Sequence, residues 1–319
     1  MMTGIDRLPA NVGSHAARLA GAVIIVTAST LAAIICSISA ARAGDASPWD
    51  GDARSAVRLI TGAAAAADAP LQAGIELKLQ PGWHTYWRYP GDAGVPPHFD
   101  FSASQNVADV TVLWPAPHKI TEQGMTAIGY VGNVIWPLAI VPQERGKPVT
   151  LRLKLDYAVC EKLCVPAEGK AELALGGAPA GADAALARAQ AQVPKKSVLG
   201  DGARAVAQNG AKPDGIKESA GDGGALSIRA VRRDNGGARP RILVDVAAPA
   251  GSDVALFVEG PGPDWALPVP TAIDGAPAGL KRFAFDLDGA PPGASYDGAR
   301  VTFTAVAGDR AIEVATHLD

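Results

Sequence analysis

The chain has 319 residues, with 29 basic against 32 acidic side chains for a formal net charge of −3, and 48% of its residues are hydrophobic. That mildly acidic balance, with no basic block, disfavours nucleic acid as a partner. The length suits two domains of ordinary size.

Arg7 and Arg18 precede an apolar run over residues 19–38, and Ala41-Arg42-Ala43 offers small residues at the A-x-A spacing. This is the layout of a secretory signal peptide over residues 1–43, cut after Ala43. The alternative is an uncleaved N-terminal membrane anchor, since the run approaches spanning length. A lipoprotein signal is disfavoured because Ile35 stands before Cys36 where a small residue is expected. Loss of residues 1–43 removes three arginines and one aspartate, leaving a net charge of −5 (26 − 31). Cys160 and Cys164 are then the only cysteines, and an oxidising compartment lets them persist as a disulfide.

Past a polar start at residues 45–52 comes the stretch 55–61, then 63–67, which looks like a loop or a loose turn. Residues 71–80 form a clear strand, with Ile75, Leu77 and Leu79 alternating against Glu76, Lys78 and Gln80. Pro81-Gly82 turns the chain into an aromatic strand, W-H-T-Y-W-R-Y at 83–89, closed by P-G-D-A-G-V-P-P. Further strands are expected at 98–101, 107–114, 134–141, 149–157 and 171–175. Short strands punctuated by Gly and Pro predict an antiparallel sandwich.

The stretch 149–165 (V-T-L-R-L-K-L-D-Y-A-V-C-E-K-L-C-V) holds the chemistry. Val149, Leu151, Leu153 and Leu155 alternate with Thr150, Arg152, Lys154 and Asp156, a half-buried strand that ends in Tyr157 and a C-x3-C pair. Pro166 then argues against a simple continuation of the ladder.

From Gly176 the composition shifts to Ala, Gly, Asp and Lys. Asp183 is placed to cap a short helix over 184–192, ended by Pro194. The remainder to about Gly224 reads as a flexible linker. A second all-β block follows over 225–319, with strands expected at 225–231, 241–246, 254–259, 281–287, 301–306 and 312–317. It has no cysteine, one histidine (His317) and no acid/base constellation, and it reads as a binding or spacer domain.

Three stretches carry a resemblance: P-G-W-H-T-Y-W-R-Y-P-G-D-A-G-V-P-P (81–97), G-Y-V-G-N-V-I-W-P-L (129–138) and D-Y-A-V-C-E-K-L-C-V-P-A-E (156–168). Together, over residues 53–175, they resemble the N-terminal periplasmic domain of the thiol:disulfide interchange protein DsbD, and its ScsB-like relatives more closely still. The resemblance implies an immunoglobulin-like β-sandwich, here followed by a second β-sandwich-like domain. It also implies a periplasmic location and a cysteine pair that relays electrons. The donor would be a membrane protein of the DsbD/CcdA type, and the acceptors periplasmic thioredoxin-like or disulfide-isomerase substrates. No cofactor is implied. The family shields its pair with a cap loop; residues 124–132 stand in that place, with Tyr130 as the capping side chain and Met125 and Ile128 behind it. Two departures stand out: the membrane and thioredoxin-like domains of the full interchange protein are not visible, and C-x3-C is shorter than the best-known spacing.

The competing reading of Cys160 and Cys164 is a structural staple in a non-catalytic periplasmic binding protein. A closed loop this short stabilises by only about 2 kcal/mol, which makes it a poor staple. Exchange needs an accessible sulfur and a thiolate; Lys162 between the cysteines favours the thiolate, Glu161 opposes it, and Tyr157 supports the site from the strand. Trp83, Tyr86, Trp87 and Tyr89 fill the core and cover its edge rather than forming a sugar platform. His84, His98 and His118 could join the cysteines as copper ligands, but nothing in the sequence fixes their separation. Asp92, Asp156 and Glu168 make no paired-carboxylate signature, so a hydrolase is disfavoured.

Overall fold

The computed structural model describes residues 44–62, 70–92, 94–122, 124–175, 181–200, 225–237 and 239–318. The expected signal peptide with Cys36, the turn at 63–67 and the stretch 201–224 of the expected linker lie outside the described residues. The first block is built from β1 (Asp50–Gly51), β2 (Ser55–Thr61), β3 (Leu71–Leu79), β4 (His84–Gly91), β5 (His98–Asp100), β6 (Val107–Val112), β7 (His118–Glu122), β8 (Met125–Val131), β9 (Val134–Pro142), β10 (Val149–Cys160) and β11 (Cys164–Leu175). They make two antiparallel sheets, β1-β2-β3-β9-β6 and β11-β10-β4-β8-β7, with β5 paired to β10. Leu59, Ile75, Leu77, Trp136 and Ile140 meet Trp87, Leu151, Leu155 and Tyr157 between them. The block is an all-β, immunoglobulin-like sandwich of two antiparallel sheets around one core, as the resemblance implied.

Two local expectations are corrected. Pro166 does not end the ladder: β11 pairs Ala158 with Pro166 and Cys160 with Cys164. Because β11 is the outermost strand, the missing proline N–H breaks no rung. Residues 125–131, expected as loop, are strand β8, paired to β7 on one side and β4 on the other. Gly129 is required by close approach, since a Cβ there would lie 2.0 Å from the Thr85 carbonyl oxygen.

The helix α1 (Asp183–Ala191) has Ala182 at its N-cap position, so Asp183 sits in the first turn without capping it. Its charge still favours that end of the helix. Leu186 and Ala189 are buried against β9, and the chain continues into β12 (Lys195–Ser197). The first part of the expected flexible linker, up to residue 200, is therefore ordered, with 195–197 paired into a sheet.

The second block comprises β13 (Ser227–Asp234), β14 (Arg241–Ala247), β15 (Ala255–Glu259), β16 (Thr271–Ile273), β17 (Leu280–Asp286), β18 (Arg300–Ala307) and β19 (Arg310–His317). Sheets β12-β19-β18-β15 and β13-β14-β17-β16 enclose a core of Ile228, Val244, Leu256, Phe285, Phe303 and Val314. The sequence treats the two blocks as independent, but they pack as one unit. In β15, Leu256 and Val258 point into the second core, while Phe257 between them points out and belongs to the first core, against Trp87. Beside it Arg88 holds both Glu259 oxygens at 2.7 Å and Glu313 at 2.5 Å, and Tyr89 donates to the Leu267 carbonyl at 2.6 Å. Lys196 of β12 pairs with Glu313 as well.

Candidate functional site

Strands β10 and β11 form one long hairpin, and its three-residue turn, Glu161-Lys162-Leu163, is exposed. The Cys160–Cys164 disulfide closes the last rung of that hairpin. Its two sulfurs are not equivalent in access. Cys160 is fully buried and Cys164 is exposed.

The period of two decides what surrounds them. Val159 faces the sandwich core with Tyr157, whereas Ala158 and Cys160 point to the outer face of the sheet. Cys160 stands directly opposite His84 of β4, and His84 opposite Val131 of β8. On that face Tyr86, Ala127, Ala158 and Cys160 make a small buried cluster, joined by Ile120. The Tyr86 hydroxyl lies 2.9 Å from Cys160 Sγ and 3.0 Å from Cys164 Sγ. Disulfide sulfurs have no proton to give, so the hydroxyl donates. His84 stacks edge-on against the Tyr86 ring, centroids 5.6 Å apart, and is almost completely buried. Thr85 ties the two strands by donating from Oγ1 to the Ala158 carbonyl at 2.9 Å.

A loop covers Tyr86. After β4 the chain turns at Gly91, and Asp92 exchanges two bonds with Thr126, N–H to carbonyl at 3.0 Å and Thr126 N–H to Oδ2 at 3.2 Å. Gly94 then lies flat on the tyrosine: with φ at 139°, an added Cβ would meet the ring at 2.5 Å. Only glycine fits both demands. Several exposed side chains on these elements are apolar: Val95 beside Gly94, Met125 at the tip of the β7–β8 hairpin, Val131, and Leu163, which is 79% exposed next to Cys164.

Of the residues expected to cap the pair, Met125 alone is on the outer face, two positions from Ala127. Ile128 is a core residue, and Tyr130 is buried against Trp136 with its hydroxyl donating to the Pro115 carbonyl at 2.9 Å. Strand alternation separates them: Tyr130 sits opposite Thr85, on the face turned away from Cys160. Burial pushes the Tyr130 phenol well above its ordinary pKa. Tyr157 is likewise on the core face, its hydroxyl 2.8 Å from Ser55 Oγ and its pKa raised by burial, so it supports the sandwich rather than the sulfurs. Lys162 is on the exposed turn beside the pair. Sequence reasoning passed over Tyr86 and His84 as redox neighbours. Their signal was the even spacing 84–86 in a strand beside β10, which becomes informative once register is known. His84, His98 and His118 lie on β4, β5 and β7, and among the described residues no group of three His, Cys, Asp or Glu side chains is arranged to hold a metal ion.

With this geometry in place, comparison with known proteins separates the two blocks. Residues 56–175 match the family described as "Thiol:disulfide interchange protein DsbD, N-terminal". They carry a DsbD-type N-terminal domain. The match takes in all of the disulfide face and stops where β11 ends. Among solved structures, the N-terminal periplasmic domain of ScsB from Proteus mirabilis is similar in fold, with a TM-score of 0.62 at 18% identity, covering 86% of this chain and 98% of that one. That coverage reaches beyond residues 56–175 into the second sandwich. No curated protein matches the chain. The match to that family, together with the Cys160–Cys164 disulfide, points to thiol–disulfide exchange as the chemistry of this region. Among the described residues no helix is long and apolar enough to cross a membrane.

Proposed function

We propose that this protein is exported to the periplasm, with cleavage after Ala43, and relays electrons through Cys160 and Cys164. The donor is a membrane protein of the DsbD/CcdA type and the acceptors are thioredoxin-like or disulfide-isomerase substrates. One observation supports this reading above the rest: an exposed Cys164 is bonded to a buried Cys160 inside a region that matches the DsbD N-terminal family. A staple needs no exposed sulfur, and a loop of this size stabilises little.

A partner thiolate attacks Cys164 Sγ, forming a mixed disulfide as the Cys160–Cys164 bond breaks and its electron pair leaves on Cys160. The Tyr86 hydroxyl, already donating to both sulfurs, stabilises that thiolate. The partner's second thiol then attacks its own sulfur, releasing Cys164 and leaving the partner oxidised. Reversal passes the two electrons on. The loop at 94–97 with Val95, and the hairpin tip with Met125, act as the cap; the exposed apolar side chains Val95, Met125, Val131 and Leu163 are where a partner docks. Lys162 favours the approach of an anionic thiolate.

The test is reduction of the native protein by a thioredoxin or glutathione couple. Reduction at equilibrium without unfolding supports the relay. A disulfide that yields only when the protein unfolds would instead support a binding protein with a structural bridge.

A further inference from the structure

We infer that His84 is the proton-holding partner of Cys160: it is charged when the pair is reduced and returns its proton when the disulfide forms. The inference deepens the exchange reading above and rests on it.

The geometry comes from one rung of the sheet. His84 and Cys160 are directly opposite across the β4–β10 ladder, so their side chains leave the same face with Cβ atoms about 5 Å apart. Both are buried, at 3% and 0% exposure, and Cys160 is the sulfur that leaves when Cys164 is attacked. A thiolate formed there has no water to solvate it. Among the described residues, these groups lie on the face of His84. On its own strand there is the Tyr86 hydroxyl, and on β10 and β11 the two sulfurs. On the turn stand exposed Glu161 and Lys162, of opposite sign. Across β8, whose nearest residue is Val131, comes His118 of β7, paired to Gly129. The imidazole is thus the titratable cation-former buried beside the leaving sulfur among these groups, and imidazole is the side chain whose ordinary range falls at about pH 5–8.

The proton balance closes. The attacking thiol loses its proton to solvent, and the imidazole, charged from solvent, faces the electron pair arriving on Cys160. Release of Cys164 takes the proton of the partner's second thiol. The protein gains two electrons and two protons, and the partner dithiol becomes a disulfide.

Two measurements on the full chain test this. In unmutated protein, the His84 imidazole is followed by NMR over pH 5–9, first oxidised and then after reduction with a small dithiol. The expected result is an upward shift of its midpoint by about one pH unit on reduction, a tenfold change in proton affinity. In the Cys164→Ser background, alkylation at Cys160 is read peptide by peptide against pH, with and without His84→Gln. The expected result is a rate at pH 7 about tenfold lower in the double variant, with its profile moved to higher pH. An identical imidazole midpoint in the oxidised and reduced protein, or an unchanged alkylation profile, overturns the inference. Both readouts use protein reduced by reagent. Failure to accept electrons from any partner would therefore defeat the relay while leaving His84 decided, and an unshifted His84 would leave the relay standing.

Discussion

Each sandwich has a sheet face that is neither its core nor bare solvent, and the two bury it in opposite ways. In the first, the outer face of β4, β8 and β10 holds the Cys160–Cys164 bond beneath Tyr86 and a glycine-backed loop. In the second, the outer face of β14 and β17 holds Asp245, buried between Arg282 at 2.6 Å and Arg232 at 2.5 Å. Val244 and Val246 on either side of it point into the core. Both arrangements solve the problem of a polar group under cover. The ion cluster is neutralised by partners that no reagent exchanges. The disulfide lies against Tyr86, which a loop backs, and its bond can be traded for another of the same kind. A buried outer face becomes reactive where the cover can lift and the bond beneath can be exchanged.

That contrast can be broken from either side. The largest effect should come from Asp245→Ala, which strands the Arg282 guanidinium in a site built for a pair. Both Arg282 and Arg232 lose their shared carboxylate, which should cost more stability than loss of an exposed ion pair. A urea midpoint lowered to match, with dithiol exchange at Cys164 unchanged, is the expected outcome. A parallel loss of exchange would show that the ion cluster serves the redox face after all.

Gly94→Ala attacks the cover. The positive φ and the contact with the Tyr86 ring together cost about 2 kcal/mol, and the loop relieves them by lifting. Alkylation of the reduced pair should speed up severalfold while the far-ultraviolet circular dichroism keeps its sheet signature. If the rate is unchanged, the loop is packing and not a cap.

Tyr86→Phe keeps the ring and deletes the hydroxyl between the sulfurs. A hydrogen bond to a charged sulfur is worth about 1.5 kcal/mol, so the equilibrium with a glutathione couple should move toward the disulfide by about tenfold. No movement would mean that the hydroxyl favours the oxidised and reduced sulfurs equally.

The smallest effect is acid sensitivity away from the disulfide. Asp245 is held below its ordinary pKa, chiefly by its bond to Arg282 against the opposing pull of burial. Glu313, which burial pushes up, ends below its own because Lys196 and Arg88 outweigh that burial. A carboxylate depressed in the folded state contributes its stability above the unfolded value. That contribution shrinks as the pH falls past the ordinary carboxylate range and is gone below the depressed values. Melting temperature should therefore drop between neutral pH and about pH 3. In Asp245→Ala that drop should be smaller.

Much of this was readable in the chain. The alternation at 149–155 fixed both the strand and its buried face, and the isolation of Cys160 and Cys164 marked the site. What could not be read was register. Met125, Ile128 and Tyr130 all looked available to cover the sulfurs, yet a strand assigns neighbours to opposite faces, and the pairing of Tyr130 with Thr85 sent it to the core. The same pairing rule put Tyr86 over the disulfide from a strand that looked like core filling. Pro166 misled because a proline's cost depends on whether the strand is an edge, a property of the sheet and not of the segment. The inter-sandwich contact was invisible for a related reason: nothing near Phe257 tells a chain reader that this one side chain turns away from its own core.

That last contact bears on how this protein could be taken apart. Residues 56–175 are the portion shared with a known family, and they look like a natural fragment for expression or for grafting onto another enzyme. Cut there, however, the fragment keeps Trp87 and Arg88 and loses Phe257, Glu259 and Glu313, so a ring is unroofed and a guanidinium left without its carboxylates. Strand β4 holds those two residues directly after His84 and Tyr86. A tailored fragment would therefore begin to come apart one turn of sequence away from the sulfurs it was made to preserve.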